Sequence, residues 1–320
     1  MTARTLHYGD GSTAYIGVTK EILTHGTTSA PRSLATRELV NTAVVIADAS
    51  QAVPVDCRRN INERIGATEY TQLLAGVSSL TQLDLASNGR FSQFTDGGRL
   101  RGAYGPRVYH QLPWAMRKLE QDPDSRQSVI TIWKGFETRD AWRDTPCTVS
   151  LQFRRSNSKL NLAVMMRSSD AWLGIPYDWW MFSRLQMTMA WALGIAPGTF
   201  TFFAGSLHLY DQNAEQAKTL ARSGAEGIEK LQPPAMHGSE AEPQNASVRV
   251  KVAQDMALRV ITGETIIDDI DINAQWYRNV LPQINEKVCG ECRYIAPDVE
   301  IVASFGLESV YACRECHATP

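Results

Sequence analysis

Residues 144–170 read DTPCTVSLQFRRSNSKLNLAVMMRSSD. Thr148 to Phe153 and Leu160 to Met166 carry the aliphatic and aromatic residues of strands. Ser156-Asn157-Ser158-Lys159 between them has turn chemistry, so the stretch predicts a β-hairpin. In that hairpin Cys147 precedes the first strand and Arg167 ends the second. A lone cysteine ahead of a strand is ordinarily a small buried hydrophobe. A guanidinium nearby would change its chemistry: it would hold a phosphate, lower the thiol pKa and raise the thiolate fraction.

Working outward, Trp180 to Leu193 is apolar almost all round, as expected of a central buried helix. Pro197-Gly198 then turns the chain into a strand over Thr199 to Phe203, and Ser128 to Trp133 predicts another strand on the upstream side. Helices are expected over Leu34 to Asp48 behind a Ser33 cap, near Thr68 to Leu74, and over Gln111 to Glu120. Asn88 to Gly105 is polar with five glycines and predicts a long surface loop. Residues 1–32 show only short apolar pieces, 221–247 have the composition of a surface insertion or mobile loop, and Ser247 to Val252 predicts a strand. Helices and strands without regular βαβ alternation imply an α+β architecture, a mixed β-sheet layered with helices.

The 320 residues carry 32 Lys+Arg against 34 Asp+Glu, a formal charge of −2, which argues against nucleic acid as a partner because wrapping phosphate needs clustered cations. Met1 to His7 has no signal-peptide pattern and no run approaches a membrane span, so the expected location is the cytoplasm, away from membranes. Thiols stay reduced there. Cys289-Gly290-Glu291-Cys292 and Cys313-Arg314-Glu315-Cys316 are CxxC pairs 20 residues apart, which predicts a closed four-thiolate zinc site of structural type. Free or redox thiols are the alternative, with His317 a competing ligand. The expected organisation is a catalytic domain over 1–280 and a zinc-binding tail over 281–320.

Several motifs together resemble one family. Asp122-Pro123-Asp124-Ser125-Arg126, Pro146-Cys147, Arg167-Ser168-Ser169-Asp170, Leu173-Gly174-Ile175-Pro176-Tyr177-Asp178 and His208-Leu209-Tyr210 occur in the order and near the spacing of thymidylate synthase. Glu69 with Leu73, Leu74 and Gly76 resembles its glutamate helix, and Gly102-Ala103-Tyr104-Gly105 its Gly-x-x-Tyr-Gly loop. The resemblance runs from Glu69 to Tyr210, is weak before that and is absent in the tail. It implies a thymidylate synthase-like fold and 5,10-methylenetetrahydrofolate as co-substrate with a pyrimidine nucleoside monophosphate. Cys147 would add to C6 of the base, Glu69 would organise water and move protons, and Tyr104 would line the pocket beside the thiol. Arg167 and Ser168 would hold the phosphate, joined by Arg126 from the second subunit of a homodimer. His208 and Tyr210 would bond the ribose hydroxyl, and Asp170 would contact the folate or its backbone cradle. Taken singly, Glu69 reads equally as a solvated helix residue, Arg126 as a surface cation, and His208 or Tyr210 as a satisfied core side chain.

The departures from the family pattern bear on the reaction. Asp178 stands where the family carries the Asn that reads uracil. A carboxylate only accepts hydrogen bonds and suits the amino group of cytosine, which is the mark of the cytidylate (CMP or dCMP) 5-hydroxymethylases. Met166, Gln127, Asn213, Thr148 and Lys134 also replace family residues, and the usual C-terminal seal of the folate site is missing or replaced by the cysteine tail. These changes favour water over hydride as the final addend. Arg32 and Arg37 are candidates for the phosphate contact expected from the N-terminal region. The rival readings are a methylating synthase that oxidises its folate, and a non-catalytic nucleotide- or RNA-binding homologue. The sugar stays open between ribose, as in nucleoside antibiotic biosynthesis, and deoxyribose, as in DNA modification.

Overall fold

The computed structural model describes residues 3–55, 59–138, 143–222, 234, 245–264, 272–282, 284, 287–288, 293, 295–296, 300–305 and 308–312. The expected hairpin forms from β5 (Thr148–Ser156) and β6 (Lys159–Asp170). It turns at Asn157 and Ser158, which take φ 50° and 58°; positive φ at both central positions matches the twist of the flanking strands.

Around that hairpin a mixed sheet grows. On one side β4 (Val129–Thr131) pairs antiparallel with β5. On the other, β6 lies parallel to β7 (Ala196–Tyr210), which runs antiparallel to β3 (Thr36–Ile46). β1 (Arg4–Tyr8) pairs parallel with β3, and β2 (Thr27–Ser29) pairs antiparallel with it. The order is β1-β3-β7-β6-β5-β4, with β2 off the path.

β3 corrects the helix expected over Leu34 to Asp48. Its buried positions are Thr36, Leu39, Thr42, Val44 and Ile46. A strand should bury every second residue, but the phase slips near Asn41, which takes φ 52°. The first three buried positions therefore lie three apart and imitate a helical period. The backbone pairs as a strand throughout, from Thr36 with Tyr210 to Ile46 with Phe200.

Helices cover one face of the sheet. α1 (Gly11–His25), which the sequence reading passed over, is capped by Asp10 accepting from the Thr13 amide and packs on β3. It also packs against α7 (Ala214–Arg222). The central layer is α6 (Ile175–Ala192), buried nearly all round as expected, with Trp179 edge-on to Phe202 of β7 at 6.1 Å. α2 (Glu63–Ala75) crosses α6 closely because Gly66 has no side chain: a Cβ there would lie 2.6 Å from the Trp180 ring. That close approach brings Glu69, one turn beyond Gly66, toward the first turn of α6. α3 (Leu80–Ser87) and α4 (Gly105–Val108) pack on α2, and α5 (Gln111–Gln121) packs on β4 and β5.

α8 (Ala246–Thr262) corrects the strand expected over Ser247 to Val252. Ser247-Val248-Arg249-Val250-Lys251-Val252 alternates like a strand, yet the buried set Val250, Ala253, Gln254, Ala257, Val260 and Ile261 has helical spacing. Asn245 caps the helix by accepting from the Val248 amide at 3.0 Å. α9 (Ile272–Val280) packs on α8 and α2. Short pairings of β8 (Lys287–Val288) with β9 (Ile295–Ala296), and of β10 (Glu300–Phe305) with β11 (Glu308–Ala312), end the described chain. No described helix is long and apolar enough to cross a membrane.

The two candidate structures for 247–252 predict different costs of truncation. In the helix Val250 is buried and Val252 is 42% exposed, whereas a strand would place both on one face. Val250→Ala is expected to lower unfolding free energy by about 2 kcal/mol, and Val252→Ala to change it by no more than about 0.5 kcal/mol. Urea melts of the two variants check this, and equal losses would contradict the helix.

Candidate active site

The hairpin sets the centre of the site. A register irregularity between Thr148 and Ser150 ends the β5 ladder just after Cys147, a device that re-aims neighbouring side chains. Across it, the Arg167 amide donates to the Cys147 carbonyl at 2.8 Å. The Arg167 guanidinium donates to the carbonyls of Pro146 (2.9 Å) and Thr145 (3.1 Å), and its Nη2 lies 3.7 Å from the Cys147 sulfur. Trp133 packs beneath it at 5.8 Å. The cation is thus fixed beside the thiol by backbone groups on the thiol's own segment.

The electrostatic outcome differs from the expectation of a lowered thiol pKa. Burial pushes the Cys147 thiol above its ordinary value, and the Arg167 cation opposes that shift without overcoming it. Desolvation disfavours the thiolate more than one partly exposed guanidinium favours it. The resting sulfur is therefore protonated at neutral pH.

Two carboxyls share its chamber. Glu69 is raised to about 8, first by burial and then by the nearby Asp178. Asp178, in the first turn of α6, is raised to about 7 by burial, against a hydrogen bond from the Ser169 hydroxyl at 3.4 Å. A helix N-terminus favours a carboxylate, but here loss of solvent outweighs the dipole. Tyr104 stacks on Phe182 at 6.1 Å and is held well above its ordinary pKa by burial. Near neutrality Cys147, Tyr104 and Glu69 mostly hold their protons, Asp178 is about half ionised, and Arg167 stands on one wall.

At the far end, Asp170 closes β6 and accepts the amides of Trp172 (2.7 Å) and Leu173 (3.1 Å). Burial raises its pKa in spite of those donors. His208, paired in register with Asp170, meets the Ser168 hydroxyl at 3.4 Å and the Tyr210 ring edge-on at 5.1 Å. Burial lowers its pKa, so the imidazole is neutral.

These groups line one chamber of ≈ 1110 Å³, which takes in Glu69, Tyr104, Cys147, Arg167, Ser168, Asp170, Asp178, His208 and Tyr210. Every non-metal site residue named from the sequence is there except Arg126 and the phosphate candidate Arg37. Arg126 is exposed ahead of β4, its carbonyl accepting from the Gln152 amide at 3.1 Å, and it does not line this chamber. Of the two N-terminal candidates, Arg32 lines the chamber and Arg37 does not. A smaller cavity of ≈ 200 Å³ adjoins Glu69, Cys147 and Asp178, walled by Leu73, Val77, Leu83 and Met181 with Gln72 and Asp144 as polar neighbours. Cys289, Cys292, Cys313 and Cys316 lie outside the described residues, and among the described residues no group of His, Cys, Asp or Glu could hold a metal.

The sequence reading missed Arg59. Its guanidinium sits 4.7 Å over the Trp172 ring and donates to the Trp172 carbonyl at 2.7 Å, on the chamber wall. Arg90 lines the same wall, and Phe94 and Leu173 offer half-exposed apolar surface there. Nothing local marks Arg59: its partner is far along the chain.

A family model described as thymidylate synthase matches residues 13–245, well over half of the chain. The match contains every residue of the large chamber.

The raised carboxyls make a stability prediction. A folded-state pKa above the unfolded value means that the native state holds the proton more tightly. The stabilisation is complete below the ordinary carboxylate range and is lost as pH rises through about 7 for Asp178 and about 8 for Glu69. The melting temperature of the ligand-free protein should therefore fall between about pH 5 and about pH 8, and fall less in Glu69→Gln, which has no proton to lose. Equal slopes for the two proteins, read by scanning calorimetry, would contradict the assignment.

Proposed function

The chain belongs to the thymidylate synthase family, and within that family we propose that it is a cytidylate 5-hydroxymethylase. The family transfers a one-carbon unit to a pyrimidine, with methylenetetrahydrofolate as co-substrate. The observation that carries the finer reading is the buried carboxyl of Asp178 with its pKa near 7, beside Cys147 and Glu69.

A carboxyl at that position pairs with cytosine in both protonation states. Protonated, it donates to N3 and accepts from the amino group; ionised, it accepts from that amino group and from a protonated N3. Uracil matches only the protonated form. Once Asp178 ionises, a carboxylate oxygen faces O4, and two acceptors repel. A neutral cytosine would likewise set its N3 lone pair against the ionised carboxyl, so the cytosine pairing keeps one proton shared between Asp178 and N3.

The proposed reaction begins with Cys147. Its sulfur adds to C6 after giving up its proton to solvent, with Arg167 at 3.7 Å stabilising the thiolate that forms. C5 then bonds to the methylene carbon of the co-substrate. The C5 proton passes to solvent and the protonated Glu69 gives its proton to the folate nitrogen as the bond from that nitrogen to the transferred carbon breaks, which releases tetrahydrofolate and leaves an exocyclic methylene. Water adds to this carbon, its proton passing to the Glu69 carboxylate so formed. As the C5=C6 bond reforms, the C6–S bond breaks and Cys147 leaves. The sum is cytidylate plus methylenetetrahydrofolate plus water giving 5-hydroxymethylcytidylate plus tetrahydrofolate, with no change of oxidation level in the folate.

Three features support the assignment. The smaller cavity beside Glu69 offers room for water next to the reacting carbon. Thr148, where the family has His, turns its hydroxyl onto the Met166 sulfur at 3.0 Å, so two of the departures pair with each other away from the base. Arg59 and Arg90 with Phe94 and Leu173 suit the carboxylate tail and aromatic ring of a folate.

A homodimer completes the site in this reading. On the sheet face away from the helices, Ala43, Phe203, Met165 and Ser150 form one row across β3, β7, β6 and β5. Met165 is 39% exposed there, a surface suited to a second copy. Arg126, exposed and outside its own chamber, is assigned to the phosphate in the partner's chamber.

The deciding experiment incubates the protein with methylenetetrahydrofolate and each of CMP, dCMP, UMP and dUMP. A mass gain of CH₂O on a cytidylate without dihydrofolate is expected. A gain of CH₂ on a uridylate with dihydrofolate would overturn the proposal. Asp178→Asn should shift kcat/KM toward uridylate by roughly 10²-fold or more. For the dimer, Arg126→Ala and Cys147→Ala are each expected to be inactive alone and to regain activity when mixed under subunit exchange. Absence of recovery, with heterodimers shown by mass, would assign Arg126 to its own chain.

A further inference from the structure

The cysteine tail enters no step of the proposed reaction, yet its described residues touch the catalytic helix. Arg293, which follows Cys292 in sequence, donates from Nε to the Gly76 carbonyl and from Nη2 to the Ala75 carbonyl, both at 2.7 Å. Those carbonyls close the C-terminal end of α2, where helical carbonyls lack intrahelical donors. The guanidinium also lies 3.6 Å over the Tyr109 ring. Tyr109 in turn packs on Gly76, at φ 71°, where a Cβ would lie 2.3 Å from it.

The backbone beside Arg293 is fastened too. The Ser78 amide donates to the Arg293 carbonyl at 3.2 Å, and the Ile295 amide to the Ser78 carbonyl at 2.8 Å. Nearby, Gln82 donates to the Pro282 carbonyl at 2.9 Å and accepts from Gln72 at 3.0 Å. Gln72 and Val77 line the small cavity with Glu69 and Cys147. The tail is therefore the outer layer of the wall behind the reacting groups. It lies beyond the matched residues 13–245.

We propose that Arg293 is a positioning residue for Glu69: by capping α2 and stacking on Tyr109, it fixes the helix that presents Glu69 to the base. Glu69 lies less than two turns before the carbonyls that Arg293 holds, so movement of that end is carried rigidly to the carboxyl. Loosening it admits water beside Glu69 and changes proton movement in the reaction while leaving the phosphate contacts of Arg167 in place. The inference rests on Glu69 serving as the proton-moving group.

The test uses the full-length protein with the nucleotide that the product assay identifies. Arg293→Ala is expected to lower kcat at least tenfold, change the nucleotide KM less than threefold, and shift the pH at which kcat turns toward the ordinary carboxylate range. Arg293→Lys should recover part of the rate, because an ammonium reaches one carbonyl but cannot stack as a plane. Val260→Ala in α8, away from the chamber, serves as a destabilised control whose kcat and pH profile stay at wild type well below its melting temperature. Wild-type kcat and pH profile in a folded Arg293→Ala overturn the proposal. If the alanine variant does not fold, Arg293→Lys decides: a threefold or larger loss of kcat with a shifted profile supports the role, and wild-type kinetics overturn it. Glu69→Gln, assayed alongside, separates the two layers. An active Glu69→Gln overturns the role of Glu69 itself, whereas an inactive one with wild-type Arg293→Ala overturns only the positioning.

Discussion

The site is organised by one constraint: a thiol and a guanidinium on adjacent strands are held together by the backbone of the thiol's own segment. Arg167 donates through its amide to Cys147 and through its side chain to Pro146 and Thr145. These contacts fix the guanidinium before any ligand enters. A flexible cation would have to give up rotamer freedom on binding an anion, a cost of up to about 2 kcal/mol for an arginine. The sheet then does the rest of the placement. Strand β6 carries Arg167, Ser168 and Asp170 along one edge of the chamber, and its parallel neighbour β7 brings His208 opposite Asp170.

Burial is the second organising effect, and it works against the charges that the chemistry needs. Cys147, Glu69, Asp178 and Tyr104 are each raised in pKa chiefly by loss of solvent, so all of them but the partly ionised Asp178 mostly hold their protons near neutrality. A protonated interior avoids most of the desolvation penalty that four buried anions would carry. It also leaves Glu69 and Asp178 with proton affinities near neutrality, the range in which general acid–base transfer is effective.

How much of this was legible depended on range. The hairpin, the buried helix α6 and the helix carrying Glu69 follow from local periodicity, and the motif residues from Glu69 to Tyr210 do converge on one chamber. The errors arose where a short window misrepresents a longer element. In β3 the slip at Asn41 turned a strand into an apparent helix, and in α8 three alternating valines turned a helix into an apparent strand. α1 was overlooked because its Gly, Ser and Thr content dilutes its apolar face. Arg59 and Arg293 escaped for another reason. Each takes its meaning from a partner more than a hundred residues away, Trp172 for one and Ala75 for the other. The net pKa of Cys147 was also beyond the sequence, since it is a balance between burial and one cation.

The close crossing of α2 and α6 links these effects to the reaction proposed. Gly66 lets the helices approach until Glu69 and Asp178 sense each other's charge, and the mutual repulsion adds to the burial of Glu69. Two neighbouring carboxyls in that state cannot both ionise cheaply, so a proton lost by one is retained more firmly by the other. A cytosine whose N3 takes the proton of Asp178 would turn that carboxyl into an anion stabilised by the protonated base. The new anion would in turn raise the proton affinity of Glu69. A raised affinity keeps the proton on Glu69 until the folate nitrogen departs with it, and the carboxylate then formed accepts the proton of water. The base that enters would thus prepare the acceptor for the end of the reaction, and the coupling depends on an inter-helix distance that a single side chain at Gly66 would destroy.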